Sequence, residues 1–204
     1  MSASRIGVFG GAFDPPHNAH LALVRAALAQ LGLAELRIFP TGQAWHKQHP
    51  LSGADDRLAM ARLAFDGIEN AVVDARELAR LGPTYTLDTL RELRREHPAA
   101  ELVLIIGADQ AMSLPSWHGW QEILAMAVIA VAQRPSPAGA SLPFDPALLH
   151  ALPGGARFET VEFEPMPISA TEIRTLAARG DAVDRLVPPA VARYIEQHHL
   201  YQST

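Results

Sequence analysis

A doubly wound parallel α/β sheet is the fold class this sequence predicts, and three observations predict it. Strand-like and helix-like segments alternate along most of the 204 residues, the pattern of repeated βαβ units. Leu102-Val103-Leu104-Ile105-Ile106 is an uninterrupted apolar run ending at Gly107, as suits a strand covered on both faces. The first strand leads through two glycines into a helix. The expectation is a Rossmann-like single domain, with an α/β core over residues 1–165 and a small C-terminal helical extension over 166–204.

Each element has a local reason. Arg5 to Gly10 is a buried strand, and Leu21, Val24, Leu28 and Leu31 then fall on one helical face. Glu35 to Pro40 is the second strand, followed by a polar loop from Thr41 to about Gly53. Ser52 and Asp55 read as a capping pair for a helix through Arg57, Met60, Ala61 and Ala64. Ala71 to Asp74 is a short third strand, and Leu87, Leu90 and Leu93 mark the next helix. After the apolar fourth strand, a helix over Gln121 to Met126 leads into a strand over Ala127 to Ala132. Arg134 to Gly155, rich in Pro, Gly, Ala and Ser, is a loop with one short helix. Phe158 to Phe163 is the last strand, before helices over Ser169 to Arg179 and Pro189 to His199. In the last of these, Val191, Tyr194, Ile195 and His198 share a face.

Composition narrows the function. Lys and Arg total 17 against 22 Asp and Glu, a net charge of −5, which argues weakly against a nucleic-acid partner. Without cysteine there are no disulfides or thiolate metal sites. The longest near-apolar run, Ile123 to Ala132, is well short of the ~20 residues a membrane helix needs. The N-terminus lacks an apolar segment of signal-peptide type. The expectation is a cytoplasmic protein with no membrane partner, either a monomer or a small homo-oligomer.

Ligands of such sheets bind past the carboxyl ends of the strands, which directs attention to the segments after Phe9, Phe39 and Ile106. Gly10 to His20 leaves the first strand and enters the first helix. Glycines permit close backbone approach to a ligand, and a helix N-terminus suits phosphate. His17 and His20, three apart, can face one ligand and donate to phosphate oxygens. A plain tight turn, a capping pair of histidines and a metal site are the alternatives at this stage. No Walker-type Gly-Lys-Ser/Thr and no Gly-x-Gly-x-x-Gly occurs. In the C-terminal part, Ser169 with Glu172 reads as a capping box. The same helix start, with Thr171 and with Arg174 one turn in, is a second phosphate cradle. Asp109 is either an acceptor for ribose hydroxyls or a helix N-cap. Trp117 lies between Pro115 and Gly119, and a core tryptophan is the ordinary reading.

Gly10 to His20 resembles the Gly-Gly-x-Phe-Asp-Pro-x-His-x-Gly-His motif of the nicotinate-mononucleotide adenylyltransferases, departing at Ala19, where that family usually has glycine. Ser169-Ala170-Thr171-Glu172-Ile173-Arg174 resembles the family's Ser-x-Thr-x-Ile-Arg motif. Ala44-Trp45-His46-Lys47 stands where the family has Pro-Pro-His-Lys. The resemblance runs from Arg5 to about Leu200 and is weakest between Ser136 and Arg157. It implies transfer of AMP from ATP to nicotinate mononucleotide, with Mg²⁺ held mainly by the ATP phosphates. His17, His20, Lys47 and Arg174 are then the catalytic cations and donors. Gly10, Gly11, Phe13, Gly107, Asp109, Ser169 and Thr171 would bind ATP. Thr84, Tyr85, Thr86, Trp117 and His118 would bind the mononucleotide, with Trp117 stacked on its ring and backbone N–H groups near Trp117 and His118 meeting the ring carboxylate. Rival readings are an adenylyltransferase of phosphopantetheine or of the amidated mononucleotide, and a nucleotide-binding regulatory module without catalysis.

Overall fold

Short apolar runs ended by glycine or proline set three of the strands, and helices fill the intervals between strands. The computed structural model describes residues 4–42, 51–133, 144–149, 152–164 and 166–202. The strands are β1 (Arg5–Gly11), β2 (Glu35–Pro40), β3 (Ala71–Val73), β4 (Glu101–Gly107), β5 (Ala127–Gln133) and β6 (Phe158–Glu162). They form one sheet in the order β3-β2-β1-β4-β5-β6. The helices are α1 (Asn18–Gln30), α2 (Ala54–Phe65), α3 (Arg76–Ala79), α4 (Thr86–Glu96), α5 (Ala108–Ser113), α6 (Trp120–Met126), α7 (Ala170–Ala178) and α8 (Pro189–Gln197). A 3₁₀ turn over Pro146–Leu148 is the short helix expected in the Pro-rich loop. The open α/β sheet and its C-terminal helices agree with the sequence expectation. Among the described residues, no helix is long and apolar enough to cross a membrane.

The chain divides into two compact units. The first comprises Met1–Gly10, Leu23–Arg37 and Tyr85–Pro165. Its centre is β4, where Leu102 to Ile106 are all buried. β4 pairs in parallel with β1, Ile6 opposite Leu102, and with β5, Leu104 opposite Ile129. β5 pairs in parallel with β6. Each fully buried side chain of this kind contributes ~1.5–3 kcal/mol, so this strand anchors the unit. The Arg94 guanidinium, at the end of α4, donates to the carbonyls of Ala100 and Met126, joining the approach to β4 to the end of α6. Gly119 starts α6 in the left-handed region, φ 64°. A Cβ there would lie 2.3 Å from Leu87 Cδ2, so the turn after Trp117 and His118 requires glycine for both conformation and space.

The second unit comprises Gly11–Ala22, Ile38–Thr84 and Met166–Thr204. α2 buries Arg57, Met60, Ala61, Ala64 and Phe65, the expected stripe extended by one aromatic. α8 buries Val191 and Ile195. On the same helix the Tyr194 ring stacks on His198 at 4.0 Å, and its hydroxyl donates to Asp56 Oδ1 on α2.

The helices depart from the sequence expectation at α1, α2, α3 and α5. Ser52 does not cap α2; the N-cap is Gly53, with no side-chain cap bond. The backbone of Ser52 is committed elsewhere, its N–H to Asp14 Oδ2 and its carbonyl to Arg57 Nε. α1 buries Ala19, Leu23, Val24 and Ala27, while Leu21 and Leu28 are half-buried. Small alanines complete that stripe, which a count of leucines misplaces. α3 and α5 are single short elements that no hydrophobic period announced.

Candidate functional site

The second unit carries the glycine–histidine segment from Gly11 onward, Gly10 belonging to the first. Gly10 and Gly11 both remain in β1, and neither has a positive φ, so the turn that two glycines suggested is not made there. A Cβ on Gly11 would meet the Phe13 ring at 3.0 Å, whereas a Cβ on Gly10 would find nothing within 4 Å among the described residues. A side chain at Gly11 would press on the Phe13 ring, whereas Gly10 leaves open space among the described residues. Phe13 adopts φ 47°, a strained choice for a residue with a side chain. Its ring is 2% exposed and lies edge-on against both His20 and Phe65, and that burial offsets the backbone cost.

The His17 carbonyl opens α1 by accepting from the His20 and Leu21 N–H groups. In return, the His17 N–H donates to His20 Nδ1 at 3.1 Å, so the imidazole takes the part of a capping-box side chain. The two rings stack 3.7 Å apart. Because Nδ1 accepts, the ring proton sits on Nε2, which is thereby a donor. The Asn18 N–H is bonded to Leu186 O and its side chain to Arg185 O. One of the helix-start donors expected for phosphate is therefore used internally.

Asp14, which the sequence reading passed over, is the hub of this segment. It is 3% exposed. Its Oδ1 accepts from the Tyr201 hydroxyl at 2.7 Å and its Oδ2 from the Ser52 N–H at 3.1 Å. Its carbonyl accepts from Arg174 Nη1 at 2.8 Å. Arg57, also buried, donates to the carbonyls of Ser52, Ala12 and Thr41. Burial lowers the Arg57 guanidinium from its usual value, against the raising pull of Asp14 and then Tyr201. Burial, reinforced by the Asp14 charge and hydrogen bond, pushes the Tyr201 phenol well above the ordinary tyrosine range.

α7 supplies the second predicted cradle. Ser169 Oγ accepts from the Glu172 N–H at 3.2 Å, the capping half of the expected box. Thr171 is exposed, and its Oγ1 accepts from Arg174 Nη2 at 3.3 Å. The guanidinium thus spans Thr171 and the Asp14 carbonyl, which brings Arg174 and Thr171 together with the histidine segment. Thr84 belongs to this unit too. It is 8% exposed, and a Cβ on Gly42 would lie 2.7 Å from its Oγ1.

The first unit holds the remaining predicted residues. Tyr85 and His118 pair their rings at 4.5 Å, tilted by 34°. Thr86 begins α4. Trp117 is half-exposed rather than a core residue, and its N–H is bonded to Leu114 O at 2.9 Å, which removes that amide from the donors available to a ligand. Gly107 is the N-cap of α5, and its N–H donates to Gln110 Oε1. Asp109 is exposed inside the first turn of α5, not at its cap. Lys47, with Trp45 and His46, lies outside the described residues. No group of three or more His, Cys, Asp or Glu stands together as a metal site among the described residues.

Residues 8–176 match the cytidylyltransferase-like family. The chain is 55% identical over 199 residues to the "Probable nicotinate-nucleotide adenylyltransferase" of Albidiferax ferrireducens, covering 98% of each chain. It is 43% identical over 212 residues to the protein of the same name from Methylibium petroleiphilum, covering 98% of this chain and 95% of the relative. Its fold is similar to that of Plasmodium falciparum nicotinic acid mononucleotide adenylyltransferase complexed with NaAD. The TM-score is 0.75 at 18% identity, over 97% of each chain.

The raised phenol yields a pH prediction. Tyr201 keeps its proton in the native state above the ordinary tyrosine value of about 10, where the unfolded chain loses it. Its contribution to stability is complete below that pH and is lost as pH rises toward the native value, at about 1.4 kcal/mol per unit. Denaturant titrations between pH 9 and 11 should show a shallower fall for Tyr201→Phe than for the parent. Identical slopes would contradict this reading.

Proposed function

The chain belongs to the cytidylyltransferase-like family and, within it, to the nicotinate-nucleotide adenylyltransferases, and from that membership we infer its reaction. It transfers AMP from ATP to nicotinate mononucleotide, giving nicotinate adenine dinucleotide and pyrophosphate in NAD biosynthesis. A phosphate oxygen of the mononucleotide attacks the α-phosphorus; a new P–O–P bond forms while the bond to the β-phosphate oxygen breaks. The departing pyrophosphate takes the electron pair of that bond.

The observation that carries the assignment of roles is the hydrogen bond from the His17 N–H to His20 Nδ1. It fixes the His20 ring and makes Nε2 a donor at a helix start. No side chain needs to become covalently attached. Catalysis is positioning of two phosphates and stabilisation of charge that grows in the transition state. His17, His20 and Arg174 supply that stabilisation, with Lys47. Ser169 and Thr171 hold the ATP phosphates, Gly10, Gly11 and Phe13 shape their approach, and Gly107 and Asp109 meet the ATP ribose. Trp117 stacks on the pyridine ring. The His118 N–H, with Thr84, Tyr85 and Thr86, receives the ring carboxylate, the Trp117 N–H being already bonded to Leu114 O. Mg²⁺ enters with ATP, coordinated by phosphate oxygens and water, a shell that suits its octahedral preference. The family match runs through segments of both units, which supports a single nucleotidyltransferase domain over residues 1–204. The protein works in the cytoplasm, as a monomer or small homo-oligomer.

The test is pyrophosphate release with ATP and each mononucleotide in turn. Donors aimed at a carboxylate are mismatched by an amide, so kcat/KM should favour nicotinate over nicotinamide mononucleotide by at least about tenfold. Equal values would contradict the assignment. His20→Ala should lower kcat by about 10²–10³ with an unchanged thermal melt; turnover within a few-fold of the parent would make His20 structural.

A further inference from the structure

We propose that Tyr201, in the C-terminal turn, is a positioning residue for AMP transfer, acting through Asp14 on Arg174; the proposal rests on the reaction inferred above. Its basis is a run of connected bonds within the second unit. α8 ends in a Schellman arrangement: the His199 N–H bonds to Glu196 O and the Leu200 N–H to Ile195 O. His199 occupies the left-handed position that glycine usually fills, φ 49°, and Tyr201 is left-handed as well, φ 69°. Two side-chain-bearing residues in that region are unfavourable in isolation. The turn they make directs the phenol onto Asp14 Oδ1, 187 residues away in sequence.

Asp14 then connects the phenol to the reaction. Both carboxylate oxygens are occupied, by the Tyr201 hydroxyl and by the Ser52 N–H. With the carboxylate fixed at two points, the peptide of Asp14 is fixed too, and its carbonyl accepts from Arg174 Nη1. That carbonyl and Thr171 Oγ1 hold the guanidinium by different nitrogens, which sets the plane of the fork it offers to phosphate. Tyr201 touches no substrate in this scheme. It keeps the Asp14 peptide from rotating and so keeps Arg174 aimed. Tyr194 provides the comparison. It lies on the same helix and bonds Asp56 on α2, but its contact leads to no residue assigned to the reaction.

The experiment compares the parent, Tyr201→Phe, Tyr194→Phe, Arg174→Ala and the double variant Tyr201→Phe/Arg174→Ala. Thermal melts and steady-state kinetics are measured below every melting midpoint. Tyr201→Phe should lower kcat about tenfold or more, as misplacement of a catalytic group does, while KM for nicotinate mononucleotide changes less than about twofold. Tyr194→Phe should lower the melt and leave kcat alone. The double variant should be no slower than Arg174→Ala, because the phenol acts only through that side chain. An unchanged kcat in Tyr201→Phe, losses that multiply in the double variant, or a Tyr201→Phe protein that folds at no temperature would each overturn the proposal. Absence of AMP transfer by the parent would instead sink the assigned reaction, so the two failures are distinguishable.

Discussion

A carboxylate that is almost wholly removed from water is the constraint around which the second unit is organised. Asp14 is acceptor-only when ionised, and a buried charge of this kind is tolerated only with donors in place. The chain supplies two donors from distant segments, the hydroxyl of Tyr201 and the N–H of Ser52, and the charge of the Arg57 guanidinium acts on the carboxylate as well. Arg57 in turn is held by the carbonyls of Ser52, Ala12 and Thr41. The residues around Asp14 therefore also fix the backbone at Ala12, Thr41 and Ser52.

The two units carry different side-chain chemistry. The second is rich in donors and cations: His17 and His20 stacked at the start of α1, and Arg174 with Thr171 on α7. That chemistry suits phosphate. The first presents aromatic and imidazole rings: the Tyr85–His118 pair and a half-exposed Trp117. A flat heteroaromatic acid suits that chemistry, with stacking of the kind seen between bases and aromatic side chains. Gly119 follows these rings in the left-handed region, where a Cβ would lie 2.3 Å from Leu87 Cδ2.

The fold was legible because local signals and tertiary packing agree along most of the chain. β2 runs over Glu35–Pro40 as the sequence implied, and the stripe Arg57, Met60, Ala61, Ala64 is the buried face of α2. Ser169 caps α7 as its spacing with Glu172 indicated. What failed was decided by competition or by distance. Ser52 has the composition of a cap, but its backbone bonds to Asp14 and Arg57 instead. The glycines of β1 suggested a turn, yet one of them makes room for a phenylalanine ring. Asp14 sat in plain view within the motif, and its importance was still invisible. Its partners lie 38, 160 and 187 residues away, beyond any periodicity that a local reading can use.

The most direct test of this account is the unfolding free energy of Asp14→Asn, measured by denaturant titration at neutral pH. The amide keeps the size of the side chain and one acceptor oxygen but removes the charge beside Arg57 and one of the two acceptor positions. Hydrogen bonds to charged groups are worth about 1.5–3 kcal/mol each, so the variant should lose at least that much stability. A loss smaller than about 0.5 kcal/mol, the range of ordinary surface substitutions, would contradict the claim that the buried Asp14 charge organises this unit.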